Sequence, residues 1–228
     1  MRRTGRLLTA PRSQAVLTER QVQVMLCSMN CPRLKSMSSI SATWGTEPEE
    51  RRLAFPCDDM IHQPDDALYR GVTVNAPPAT VFRWLCQMRA APYSYDWLDN
   101  GGRQSPRELT VGLENLVIGQ DVMRIFKLTA FEKDRHLTLR LKAKSSAAKT
   151  FGDIAVSYVL VPLADDRSMA SCRLLVKLIA KHPPGLCGRL MRTVLPWGDL
   201  IMMRRQLLNL KRLAEQTEKG RQIRNQER

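Results

Sequence analysis

A chain of 228 residues with 43% hydrophobic and 25% charged residues is long enough for one large domain or a medium domain with appendages, and it holds no apolar run of the ~18 residues that a membrane span needs. Thirty-six Lys and Arg against 22 Asp and Glu give a formal net charge of +14, a balance shared by polyanion binders. Its distribution argues against a nucleic-acid face on the body: residues 1–46 carry seven basic residues against Glu19, residues 185–228 carry ten against four, and residues 47–184 hold 19 against 17.

Six cysteines (Cys27, Cys31, Cys57, Cys86, Cys172, Cys187) form no Cys-x-x-Cys pair, and His62, His136 and His182 stand far apart. Free thiols, surface histidines and no metal site are expected. Residues 1–60 lack sustained periodicity and contain Pro11, Pro32, Pro48 and Pro56. They are expected to form a mostly disordered extension, too poor in buried apolar surface to offset its ordering entropy, with one helix around 15–29. Met25, Met29, Met37 and Met60 offer internal starts, so part of this stretch is expected to lie upstream of the physiological chain. Leu7 to Ala10 is too short for a signal-peptide apolar core, which points to a cytoplasmic protein.

The compact part is expected over residues 67–216. Tyr69 to Val74 reads as a strand, stopped at Asn75-Ala76-Pro77-Pro78, and proline suits the first turn of the helix that follows. Val81, Phe82, Leu85 and Met88 give that helix one apolar face, and it ends before Pro92. Residues 93–109 crowd aromatics, acids and turn formers into short helical turns and loop. Asp121 to Phe131 is apolar on both faces and predicts one covered strand. Leu137 to Ala143, Ile154 to Leu160 and Ala170 to Leu178 alternate at a period of two. The turns fall at 132–135, 145–152 and 164–168, and turns this short make the strands antiparallel. From Gly185 to about Lys219 apolar residues recur at three- and four-residue steps, a helix that Pro196 should kink or divide. Residues 217–228 form a polar tail that should fray.

The opening Val74-x-Ala76-Pro77-x-x-x-Val81-Phe82-x-x-Leu85, the run Gly119-Gln120-Asp121-Val122-Met123 and the segment Phe131-Glu132-x-x-x-His136-Leu137-Thr138-Leu139-Arg140 follow one another in this chain. In that order they resemble the START-like superfamily, also called SRPBCC, which includes polyketide cyclases, aromatases, lipid-transfer domains and pollen-allergen proteins. Residues 93–109 look like a segment of a bacterial subgroup of unassigned function. The resemblance implies an α+β helix-grip fold, a curved antiparallel sheet wrapped around a long C-terminal helix, with a cavity between them. It carries over no catalytic set.

Tyr93, Tyr95, Trp97 and Arg103 are expected at the mouth of such a cavity, with Asp96 and Asp99 as acid or base candidates, or equally as caps of helical turns. Met123, Tyr158 and Val176 would line its floor, and Trp197 and Met203 its helical wall, with Asp199 either in that wall or stabilising the helix start after Pro196. The expected partner is a hydrophobic or amphipathic small molecule of lipid or polyketide type, with no cofactor and no nucleic acid. A membrane-surface role for the basic side of the last helix, around Arg204, Arg205, Lys211 and Arg212, is the lesser reading. An enzyme of the cyclase or dehydratase type, using Asp96, Asp99, Tyr158 or Arg103, is one rival, and a ligand-free protein-interaction module is another. No nucleotide-binding glycine loop, Gly-x-Ser-x-Gly elbow or His-Glu-x-x-His helix is present. Oligomeric state is not legible.

Overall fold

The computed structural model describes residues 40–99, 101–163 and 171–227. The helix expected around 15–29 and the turn at 164–168 lie outside the described residues. The period-two stretches become six strands: β1 (Asp66–Val74), β2 (Asp121–Val122), β3 (Phe126–Glu132), β4 (His136–Leu141), β5 (Asp153–Leu163) and β6 (Ser171–Lys181). They form one antiparallel sheet in the order β1-β6-β5-β4-β3-β2, in which the first strand returns beside the last, Asp66 opposite Ala180 and Val74 opposite Cys172. The helices are α1 (Ile40–Thr43), α2 (Pro78–Cys86), α3 (Asp96–Asp99), α4 (Ser146–Phe151) and α5 (Leu186–Gln226). A curved sheet with one long final helix packed on it is the helix-grip arrangement.

Four local expectations meet a different structure. Residues 121–131 are two strands, because the chain folds back through Met123 (φ 47°) and Arg124 (φ 63°) and pairs Val122 with Phe126. No glycine marks that turn, so the apolar run conceals it. Residues 146–151 form α4, with the Ser145 hydroxyl accepting from Ala148 N at 3.1 Å as an N-cap. Pro196 does not divide α5, and the segment from Thr217 continues as helix to Gln226. That end is held against α2: Trp84 Nε1 donates to Thr217 Oγ1 at 3.0 Å, the Thr80 hydroxyl donates to Glu218, and Asn75 N donates to Glu215 Oε1 at 2.9 Å.

One face of the sheet packs on α5. Leu68, Val72, Leu139, Val156 and Leu174 share a buried cluster with Leu207, Leu210 and Ala214. The other face of β5 and β6 is covered as well, since Phe55, Cys57 and Ile61 bury Ala155, Leu175 and Ile179. The compact part therefore begins by Ile40 and not near Ala67. Pro48 and Pro56 break regular structure, yet an irregular segment can still deliver side chains to a sheet face. Lys177 lies under this segment with Nζ 2.5 Å from Asp58 Oδ1 and stacked over Phe55 and Tyr69. Gly45 (φ 74°) makes the approach of this segment to β1 close enough that a Cβ there would strike the Gly71 carbonyl oxygen.

His182, expected on the surface, is buried with Nε2 2.6 Å from Asp66 Oδ2. Cys57, Cys86 and Cys172 are free and buried. Burial pushes the Cys86 and Cys172 thiols up to about 12, which leaves them unreactive near neutral pH.

Candidate functional site

Tyr158 points from β5 toward α5, where its hydroxyl donates to Gln206 Oε1 at 2.8 Å and lies 3.7 Å from Met203 Sδ. The Gln206 amide in turn donates to the Pro92 carbonyl and sits 3.5 Å from Met123 Sδ. Tyr158, Val176, Met203 and Gln206 are all buried. These side chains meet in the layer between β5 and the final helix, where the sequence places a ligand. Burial drives the Tyr158 phenol far above its ordinary pKa, so it donates its hydrogen bond and does not ionise.

Beside this layer the chain after α2 is clamped to α5. Gln206 holds the Pro92 carbonyl, and Asn209 Nδ2 donates to the Tyr93 carbonyl at 2.8 Å. Two adjacent carbonyls gripped from one helix keep Tyr93 in the left-handed region, φ 59°, which an aromatic residue adopts only when its surroundings force it. The Tyr93 ring is buried edge-on against Trp84, with ring centres 6.0 Å apart. Its hydroxyl has no hydrogen-bond partner among the described residues, and burial together with the nearby Asp96 pushes its pKa up to about 12.

The clamp opens a cleft of about 370 Å³ between residues 93–107 and α5. Tyr93, Tyr95 and Trp97 give it an aromatic lining, and Arg107, Arg205, Arg212 and Asn209 give it a polar one. The Arg205 guanidinium stacks 5.9 Å from the Tyr95 ring centre. Arg107, Arg205 and Arg212 form no ion pair with a described carboxylate. Asp96 is the one described acid in the lining. It accepts from Ser105 N at 2.9 Å and from the Ser105 hydroxyl, so it fastens the loop end at residue 105 and is not left bare as a base.

The structure thus brings Tyr93, Tyr95, Asp96 and Trp97 to one cleft. Arg103 is exposed next to it, between the lining residues Gly102 and Gln104. Tyr158, Val176 and Met203 belong to the buried cluster between the sheet and α5, and Met123 packs against it partly buried. Trp197 is 53% exposed on the outer side of α5, away from the cleft lining. The side chains of Asp99 and Cys187 lie outside the described residues. Asp199 pairs with Arg70 rather than facing a pocket.

Gln206 and Asn209 are the organising residues that the sequence reading passes over. A signal exists for Gln206, a lone amide among Met203, Leu207 and Leu210 on the core side of the helix. Among the described residues no group of His, Cys, Asp and Glu could hold a metal ion.

No protein-family profile matches the chain, and no curated protein matches it. Among solved structures it is similar to a Mesorhizobium loti protein, 14% identical, over 66% of this chain and 98% of that one, with a TM-score of 0.42. It is also similar to a norcoclaurine synthase point mutant from Thalictrum flavum, 8% identical, over 67% and 96%, TM-score 0.41. A third is the Zhui aromatase/cyclase from Streptomyces, 13% identical, over 65% and 93%, TM-score 0.38.

Proposed function

We propose that the protein binds an amphipathic small molecule, with an aromatic or otherwise apolar body and an anionic group, in the cleft between residues 93–107 and α5. The observation that carries this reading is the pairing of an aromatic wall with three arginines that lack a carboxylate partner among the described residues. An apolar ligand body would gain from leaving water against Tyr93, Tyr95 and Trp97. Its anionic end would gain charge-assisted hydrogen bonds from Arg205 and Arg212.

The ligand then sits at the edge of the helix-grip interior, not beneath the helix, because Tyr158 and Gln206 bridge that interior. A cleft of about 370 Å³ suits a compact molecule of one to three rings better than a long acyl chain. The two acids named for proton transfer give the enzymatic rival no support, since Asp96 is engaged by Ser105 and the Asp99 side chain lies outside the described residues.

Native mass spectrometry of the protein from its own host, followed by calorimetry with aromatic carboxylates and their neutral methyl esters, tests the proposal. Carboxylates should bind, esters should bind at least about tenfold more weakly, and Arg212→Ala should lose about tenfold in carboxylate affinity. Equal affinity for acid and ester, or no loss in the Arg212→Ala variant, would refute it.

A further inference from the structure

The outer side of α5 carries an apolar stripe that nothing in the described residues covers. At about 100° per residue, Leu186, Leu190, Val194, Trp197, Ile201 and Leu208 fall within one arc of about 80°. They are between 37% and 82% exposed. The opposite side of the same helix, with Met203, Leu207, Leu210 and Ala214, is the one buried in the core. The helix is thus apolar on two faces, and the sheet uses only one of them.

The charges along this stripe have one sign. From Leu186 to Ala214 the only acid of α5 is Asp199, and it is buried against Arg70. Arg204, Arg205 and Arg212 are exposed there, and Arg189 is exposed about 60° to one side of it. A second copy of the chain laid stripe to stripe would bring arginines together with no carboxylate to pair them. The basic residues 1–46, seven cations against Glu19, offer no complement either. An exposed tryptophan among aliphatic residues, flanked only by cations, matches the chemistry of a phospholipid headgroup region.

We propose that the Leu186–Leu208 stripe docks the protein on an anionic lipid surface, with α5 lying flat in the headgroup layer. Trp197 and Ile201 enter the apolar boundary while Arg189 and Arg204 meet lipid phosphates. No helix among the described residues is long and apolar enough to cross a membrane, so the contact is a surface one. The proposal rests on Trp197, Ile201 and Arg204, none of them in the cleft, although Arg205 and Arg212 border both, and docking would bring the cleft mouth close to the lipid.

The test is sedimentation of the full-length protein with vesicles of phosphatidylcholine alone and of phosphatidylcholine mixed with phosphatidylglycerol. The protein should bind the mixed vesicles, weaken as salt rises, and show blue-shifted tryptophan emission that Trp197→Ala removes. Trp197→Glu/Ile201→Glu should cut the partition coefficient at least about tenfold. Both sites are exposed, and an unchanged thermal melt would show that the variant folds. Arg204→Gln, which leaves the apolar stripe in place, should flatten the salt dependence.

Equal partitioning to neutral and anionic vesicles would overturn the proposal. So would undiminished binding by the Trp197→Glu/Ile201→Glu variant, which would assign binding to the basic ends of the chain. A stripe-dependent dimer that ignores vesicles would instead assign the face to self-association, and the proposal would fall.

Discussion

Arg70 Nη2 lies 2.7 Å from Asp199 Oδ2, an ion pair closed off from solvent between β1 and α5. The same guanidinium donates to the Tyr69 carbonyl at 2.8 Å, the Ser41 carbonyl at 2.8 Å and the Pro196 carbonyl at 3.3 Å. One side chain therefore ties α1, β1 and the proline-bearing turn of α5 together. Burial makes such a pair expensive to break and less valuable than its Coulomb energy suggests.

Removing one partner leaves the other charged in the core. Asp199→Ala should destabilise the fold by about 3–5 kcal/mol in urea titrations at neutral pH. The double variant Arg70→Met/Asp199→Leu should recover most of that loss. A double variant as unstable as the single one would show that the pair contributes far more than it costs.

The same carboxyl sets a pH dependence. Burial disfavours its charge more than Arg70 favours it, which lifts its pKa to about 6. The unfolded chain releases that proton near the ordinary value of about 3.9. Between the two values the folded protein holds a proton that the unfolded chain has lost. The stabilisation is complete below about pH 4 and is lost as pH rises through about 6. Relative to Arg70→Met/Asp199→Leu, the wild type should gain about 2–3 kcal/mol on acidification across this window. A stability difference that stays flat with pH would contradict the raised pKa.

Gln206 joins three elements, so its loss should cost more than that of either partner group. Gln206→Leu leaves the Tyr158 hydroxyl and the Pro92 carbonyl buried without their partner, and about 2–3 kcal/mol should be lost. Tyr158→Phe should cost about 1 kcal/mol. The double variant should fall short of the sum, because the two changes remove one shared hydrogen bond. In the Gln206→Leu protein the amide exchange of residues 93–96 should quicken as the clamp on Tyr93 loosens, which hydrogen exchange would read directly.

The C-terminal helical end is held by side chains rather than by its own apolar face. Thr217→Val removes the acceptor of the buried Trp84 Nε1 and should destabilise by about 1–2 kcal/mol. It should also speed amide exchange over residues 217–223. Unchanged exchange there would mean that the helix persists without its anchor to α2.

The strands and the last helix were readable because their signals are local. Alternation in Leu137-Thr138-Leu139-Arg140-Leu141 and three- and four-residue steps from Leu186 onward report which side chains leave water, and burial is the dominant driving force. The hairpin at Met123 and Arg124 was not readable, because neither residue favours positive φ and pairing with β4 overrides local preference. The covering of β5 and β6 by Phe55, Cys57 and Ile61 was equally hidden. It joins residues more than a hundred positions apart through an irregular segment, and Cys57 Sγ reaches the Lys177 carbonyl at 3.6 Å.

For the site, the aromatic and acidic cluster at 93–97 stood out by composition, but the roles within it did not. Asp96 becomes a loop fastener only because Ser105 comes back beside it. Arg205 and Arg212 read as solvated helix surface until residues 93–107 fold over them. By itself the sequence determined the helix-grip architecture, since that follows from the order and periodicity of apolar residues along the chain. Tertiary structure alone decided that Tyr158 and Gln206 meet beneath the helix, that a cleft opens beside it, and that none of the described residues covers a second apolar face of α5. Each of those depends on which distant side chains meet and which stay in water, and periodicity says that a face is apolar without saying what will lie against it.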